Sequence, residues 1–337
     1  MTTAARSSSR PTSPSLGQRI RSRPWGAIFL FIGPALLLYL AFVIVPIFMT
    51  FYNSVHILHL STWEQEYVGL EHYTELVPQL KVITDPAERV DSVLPVELVW
   101  GDKIFRLAVK NSLTWALVSP LVEIPIAFLL ALVLFSKIPL ARFFRIAWFT
   151  PILVSWVVVG VIFRWIFNNE WGVINSVLRV VGLEALARNW LGLPETALPS
   201  LIGVTTWKFI GFNMVILLAA LSSIPEELLD AARIDGTNRL QLIWHVILPL
   251  LRTTVVNLLI LCFIGKMKQF ALVWVTTRGG PMHHTETVAT YVQRRAFDWR
   301  TLDLGYPSAI AVLWFVVIFV LSLLFTRLLQ RRELLEY

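Results

Sequence analysis

Four side chains could do chemistry inside an otherwise apolar chain: Glu123, Lys208, Lys266 and Lys268. A charge in the hydrocarbon region costs roughly 2.5–3.5 kcal/mol on insertion scales, so those that persist face a bundle interior, line a watery cavity, or snorkel to the interface. Snorkelling stays open for the three lysines, each within a turn or two of a span end, whereas Glu123 sits deeper, between Pro120 and Pro125. Its two readings are a structural bond to a neighbouring helix and a contact with a passing solute. His283-His284-x-Glu286 has the donor types of a metal site, but no second cluster completes a shell, and no metal is expected. There is no G-x-x-x-x-G-K-[ST] loop to cradle nucleotide phosphates. The spans carry no His and no paired carboxylates, which removes the constellations a membrane-embedded enzyme would need. The single cysteine, Cys262, permits no internal disulfide.

The elements that must position these residues follow from composition. Of 337 residues, 56% are hydrophobic and 15% charged, against about 45–50% and 25% in a soluble protein. The apolar residues gather into runs of about 20 or more, enough to cross about 30 Å of hydrocarbon. Six spans are predicted, at about 27–51, 108–135, 146–167, 199–222, 246–275 and 305–326. All are expected to be helices, because backbone groups in lipid must pair within their own segment. Runs this continuous exclude the short alternating strands of a barrel. Prolines 34, 46, 120, 125, 151 and 249 are expected to kink or cap these helices. Residues 1–24, rich in Ser, Thr, Pro and Arg, read as a disordered basic tail, and 25–337 as the transmembrane domain. The fourteen tryptophans lie mostly near span ends, as an interfacial belt would place them.

The net charge of +7 is spread over loop ends rather than on one face, which argues for orientation in a membrane and against nucleic acid. Arg6, Arg10, Arg19, Arg21 and Arg23 in the tail, Lys137, Arg142 and Arg145 in a short loop, and Arg327, Arg331 and Arg332 at the end mark the cytoplasmic side. Both termini are then inside, the acidic segment at about 52–107 outside, and the loop at about 223–245 cytoplasmic.

That last loop reads as a short helix with both ends written in. Ser223 is placed to be the N-cap with Glu226 completing a capping box, Pro225 is tolerated in the first turn, and Gly236 supplies a left-handed stop. About 12 residues is too short to be stable alone in water, so Leu228, Leu229, Ala231, Ala232 and Ile234 must pack on something, either the bilayer surface or another protein.

The same residues carry a resemblance. Asp230-Ala231-Ala232, three residues, Gly236, nine residues, then Val246-Ile247-Leu248-Pro249 is similar to the Glu-Ala-Ala loop of permease subunits of bacterial ATP-binding cassette importers. Asp230 stands for the family's Glu and Val246 for its Ile, both mild changes. Further matching pieces, in order, are Val68-Gly69-Leu70 with Tyr73, Asn111-Ser112, Gly172 with Asn175, Gly211-Phe212-Asn213, Gly279-Gly280-Pro281 with Thr285, and Gly305 with Ser308-Ala309. Together they look most like the carbohydrate-type subfamily related to the larger maltose permease subunit. Extra residues between Tyr73 and Phe105, and Pro307 in place of a small residue, depart from the pattern.

The resemblance implies an all-α importer-permease fold with six transmembrane helices and a cytoplasmic coupling helix, in the bacterial inner membrane. It implies docking on an ATPase through Glu227, Asp230, Ala231, Ala232, Asp235, Gly236, Leu248 and Pro249. Counting outward from that loop, it implies a substrate pathway at Thr205, Trp207, Lys208, Phe209, Phe212, Cys262, Lys266 and Gln269. The implied partners are a second homologous permease, a cytoplasmic ATPase dimer that binds ATP and Mg, an extracytoplasmic binding protein and membrane lipid; no cofactor is expected on this chain. The cargo would be an oligosaccharide, or a polyol or glycerophosphate. A secondary carrier is the rival reading, and it would need Glu123 as its coupling-ion site.

Overall fold

Apolar runs that cannot satisfy their backbone from water coil into helices, and this chain follows that rule. The computed structural model describes residues 25–59, 64–82, 96–99, 101–136, 138–297 and 303–330. The basic tail, much of the inserted segment near 83–95, Lys137, Arg331 and Arg332 lie outside the described residues. Among the described residues five helices are long and apolar enough to cross a membrane, and a sharply bent pair makes a sixth if counted as one span.

The chain divides into two compact units, Met1–Thr50 and Phe51–Tyr337. The first holds α1 (Trp25–Tyr39), a π-helical turn, Leu40–Ile44, and most of α2 (Val45–Asn53), whose last three residues belong to the second. Pro46 has no N–H to give the carbonyl one turn back, which disfavours a regular α-helical turn there.

The second unit opens with two antiparallel hairpins, which an all-helical expectation does not contain. Strands β1 (His56–His59) and β2 (Glu64–Tyr67) pair with His56 opposite Tyr67, and after α3 (Glu71–Leu76), β3 (Gln79–Val82) pairs with β4 (Val96–Val99). The rule that forces helices holds only in hydrocarbon; between spans, water satisfies a strand edge.

Helix α4 (Lys103–Phe135) starts five residues before the apolar run suggests, because Asp102 caps it: its Oδ1 accepts from the Ile104 and Phe105 amides, both at 2.9 Å. The other oxygen accepts from the Tyr291 and Tyr306 hydroxyls at 2.5 and 2.7 Å. Burial, and then Asp102, push the Tyr291 hydroxyl well above its ordinary range, so it stays a donor. Along α4, Ala108, Ser112, Ala116, Ser119, Glu123, Ala127 and Ala131 recur every three or four residues and are all buried. Such a stripe of mostly small residues lets helices approach closely where no hydrophobic force drives them together. It packs against α8 (Pro194–Ser222) and α11 (Arg252–Met267).

The third span is not one helix. Helix α5 (Ala141–Phe149) runs on through a 3₁₀ turn, Thr150–Leu153, and the extended residues Val154 and Ser155 then turn the axis by 101° into α6 (Trp156–Ile166). Pro151 withholds one amide, and Ser155 restarts the helix by accepting from the Val158 amide at 3.4 Å. After α6 comes α7 (Val173–Val180). The fifth span is also divided. The expected start near 246 belongs to a separate apolar helix, α10 (Arg239–Leu250); α11 begins at Arg252, and a break over 268–270 precedes α12 (Ala271–Thr276). Helices α13 (Val288–Phe297) and α14 (Gly305–Gln330) complete the described residues.

The expected cap at Ser223 is corrected by the structure. Helix α8 continues to Ser222, the Ser223 hydroxyl donates back to the Ala220 carbonyl at 2.8 Å, and α9 (Glu226–Ile234) starts after Pro225 with no side-chain cap. The capping box belongs instead to α10, between Asn238 and Gln241. Nor do the tryptophans form a belt alone: Trp115 and Trp314 are buried, donating to Thr205 Oγ1 and the Met267 carbonyl, each at 3.1 Å.

Candidate functional site

The intramembrane charges meet near one cleft. Lys266 Nζ lies 2.6 Å from Glu123 Oε1, joining α11 to α4, with both side chains at most 3% exposed. Ser119 Oγ donates to the same carboxylate at 2.7 Å, and Asn213 of α8 reaches it at 3.5 Å. Of the two readings of Glu123, the bond to a neighbouring helix is the one the geometry contains. Lys266 does not snorkel; its ammonium also sits 3.9 Å from the centre of the Phe209 ring.

Lys208 turns inward as well. Its Nζ donates to the carbonyls of Pro151, Ile152 and Val154 at 2.9, 3.2 and 2.5 Å, and lies 5.0 Å from the Trp156 ring centre. The Pro151 carbonyl also accepts from the Val154 amide at 3.3 Å, and the ammonium adds to it the carbonyls of Ile152 and Val154 at the break, so α8 holds the bend from the side. Lys208→Met is expected to lower the stability of the purified protein by about 2 kcal/mol, since charged donors are lost from buried acceptors. Thermal unfolding in detergent checks this; an unchanged midpoint would mean that the bend does not need the ammonium.

Between α6, α8, α11 and α12 opens a cleft of about 320 Å³. Phe209, Phe212, Cys262, Lys266 and Gln269 line it, and so do Trp156, Asn213, Lys268 and Phe270, which counting from the loop does not reach. For Asn213 a signal exists, in the run Gly211-Phe212-Asn213. A Cβ on Gly211 would run into the Trp148 carbonyl, so this glycine permits the contact of α8 with α5 that orients its neighbours. Thr205, Trp207 and Lys208 do not line the cleft. Thr205 is fully buried against Trp115, Trp207 packs with Phe163 at 5.1 Å between ring centres, and Lys208 serves the bend.

A second feature lies on α9. Leu229 is its buried anchor, at 4% exposure, while Glu227, Asp230, Ala231, Asp235 and Gly236 are exposed and Ala232 is half-buried. The helix ends in a Schellman motif: the Thr237 amide donates to the Ala232 carbonyl at 3.2 Å and the Gly236 amide to that of Arg233 at 3.1 Å, with Gly236 at φ +83°. It rests on the π turn Leu242–Ile247 of α10, after which Leu248 is half-buried and Pro249 exposed.

His283-His284-x-Glu286 is a folded turn. The Glu286 carboxylate, fully buried, accepts from His283 Nδ1 and pairs with Arg294, each at 2.9 Å, while Asn111 of α4 donates to the carbonyls of residues 283 and 286. Glu286 is thereby occupied in holding the start of α13.

Similarity to known proteins agrees with this architecture. A probable ABC transporter permease of Bacillus subtilis is 30% identical over 88% of this chain and 93% of its own length. The arabinooligosaccharides transport system permease of the same organism is 30% identical over 90% of this chain and 88% of its own. A bacterial alginate ABC transporter, solved in complex with an alginate pentasaccharide-bound periplasmic protein, contains a chain that superposes with a TM-score of 0.73 at 22% identity, covering 94% of this chain and 98% of that one, which shows the fold. The family described as the inner membrane component of binding-protein-dependent transport systems matches residues 123–334, from the buried Glu123 nearly to the C-terminus, and this chain belongs to it as a multi-pass inner membrane protein.

Proposed function

We propose that this chain is one half of the translocation pore of an ATP-driven, binding-protein-dependent importer of a carbohydrate. The observation that carries this reading is the wall of the cleft: Trp156, Phe209, Phe212 and Phe270 supply aromatic faces, and Asn213 and Gln269 supply amides. Sugars are held by that combination, C–H faces stacked on rings and hydroxyls paired with amides. The arabinooligosaccharides system and the alginate transporter among the relatives support a carbohydrate cargo.

In this reading both termini are cytoplasmic, α9 is the coupling helix, and Glu227, Asp230, Ala231, Ala232, Asp235, Gly236, Leu248 and Pro249 face a groove on a partner ATPase. The partner binds ATP and Mg. Its closure moves α9 and rocks the helices between two packed states, and ATP must favour one by several kcal/mol to shift the population. A second, homologous permease closes the other side of the cleft, and an extracytoplasmic binding protein delivers the cargo. The secondary-carrier reading weakens because Glu123, its needed ion site, is already paired with Lys266.

Mass spectrometry of what copurifies with a tagged copy from native membranes in mild detergent tests the assembly. Recovery of an ATPase and a second permease is expected. Recovery of the chain alone, under conditions that keep other membrane complexes intact, would overturn ATP coupling.

A further inference from the structure

Three lysines surround the cleft, and the structure treats them differently. Lys208 spends its ammonium on three backbone carbonyls, and Lys266 is neutralised by Glu123 from behind the wall. Lys268 lies in the break between α11 and α12, is exposed, lines the cleft, and makes no ion pair among the described residues. Among the described residues that line the cleft there is no carboxylate at all. The charge presented to the space is therefore positive, and it is concentrated on Lys268.

Low-dielectric walls sharpen such a field. Trp156, Phe209, Phe212, Leu258, Leu261 and Phe270 offer little to screen an ammonium in their midst. A cation so placed within a span persists when something anionic visits it or when water reaches it through a cavity. Lys268 is the C-cap of α11, its amide still donating to the Gly265 carbonyl at 3.4 Å, and it is followed in the break by Gln269, which lines the same wall.

We propose that Lys268 is a specificity-determining residue and that the cargo is an anionic carbohydrate, a polyhydroxylated solute bearing a carboxylate, sulfonate or phosphate. The aromatic faces and amides hold the sugar portion, and Lys268 receives the acid group as it passes. This rests on the carbohydrate-importer reading and narrows it.

Cys262 lines the same cleft and is the only cysteine in the chain, so it reports on the field without knowledge of the natural cargo. The complete transporter, with its partner subunits, is treated with anionic sulfonatoethyl methanethiosulfonate or with cationic trimethylammonioethyl methanethiosulfonate. Labelling is read from the mass of this chain alone, and the ratio of the two rates is referred to that of the uncharged thiol 2-mercaptoethanol. Wild type is expected to favour the anionic reagent by about tenfold, at the low end of what a single-sign cleft produces. Lys268→Gln removes the preference and Lys268→Arg keeps it. Labelling without preference in wild type would overturn the proposal, and is the result if the second permease sets a carboxylate against Lys268. A preference that survives Lys268→Gln would overturn it too, by assigning the field elsewhere. If Cys262 reacts with neither charged reagent in any nucleotide state, although the small neutral methyl methanethiosulfonate modifies it at the same pH, the cleft is not an open path for solutes, and the importer reading of this cleft falls together with the charge assignment.

Discussion

Replacing Glu123 by Leu with Lys266 left in place is expected to cost about 3–5 kcal/mol, the range for orphaning one partner of a buried ion pair. Lys266→Met should also be strongly destabilising, and the double variant should recover most of the loss. The reason is geometric. Glu123 and Lys266 are almost wholly out of solvent, 2.6 Å apart, and held by Ser119 and Asn213 from two helices. Removing one charge leaves the other in a low-dielectric interior with only neutral partners, whereas removing both leaves an apolar contact among α4, α8 and α11. A cycle of unfolding measurements in detergent decides it. Additive losses, with the double variant as damaged as the sum of the singles, would mean that the two side chains do not act as a unit.

The largest effect on transport is expected at α9. Asp230→Lys combined with Gly236→Leu should abolish uptake while the protein remains inserted. Asp230 is exposed and, among the described residues, its ion pair is with Arg233, at 2.8 Å on the surface, a contact worth about 0–1 kcal/mol, so reversing its charge spares the fold. Gly236 has φ +83° and open space around the position a Cβ would take, so a leucine there meets backbone strain of about 1–2 kcal/mol rather than a clash. The strain distorts the end of α9 while Leu229 keeps the helix seated. Losing a hot-spot residue of an interface costs about 2 kcal/mol or more, about 30-fold in affinity, and here two positions on the docking helix are altered together. Loss of the ATPase on copurification, alongside lost uptake, is the expected pair of results. Gly236→Asn, which tolerates the left-handed conformation better, should retain a large part of both. Undiminished uptake by the double variant would remove α9 from the coupling path.

Run length and local chemistry carry the first level of this protein. Continuous apolar stretches define where spans lie, because hydrocarbon forces each to satisfy its own backbone, and no distant residue is needed to decide that. Gly236 is legible as a helix stop for the same reason: the constraint is on one residue's φ. Ser223 shows the limit of local reading. Its spacing to Glu226 matches a capping box, but the α8 run continues through it and the box forms at Asn238 and Gln241.

Counting outward from the loop reaches Phe209, Phe212, Cys262, Lys266 and Gln269 because α8 and α11 flank the loop on either side. Trp156 and Phe270 escape it because breaks intervene, and no periodicity in an unbroken apolar run announces a 101° bend. What meets the carbonyls of the bend is Lys208, on a different helix and far along the chain. The pairing of Glu123 with Lys266, the turn around Glu286 and the solitary charge of Lys268 are likewise decided only in the folded molecule. Each depends on which groups meet across helices, and a buried charge takes its meaning from its neighbours rather than from its own type. The sequence by itself determined a multi-pass helical membrane protein with a short helix, stopped by Gly236, between two spans; the tertiary structure alone decided which of its few membrane charges are structural and which one faces open space.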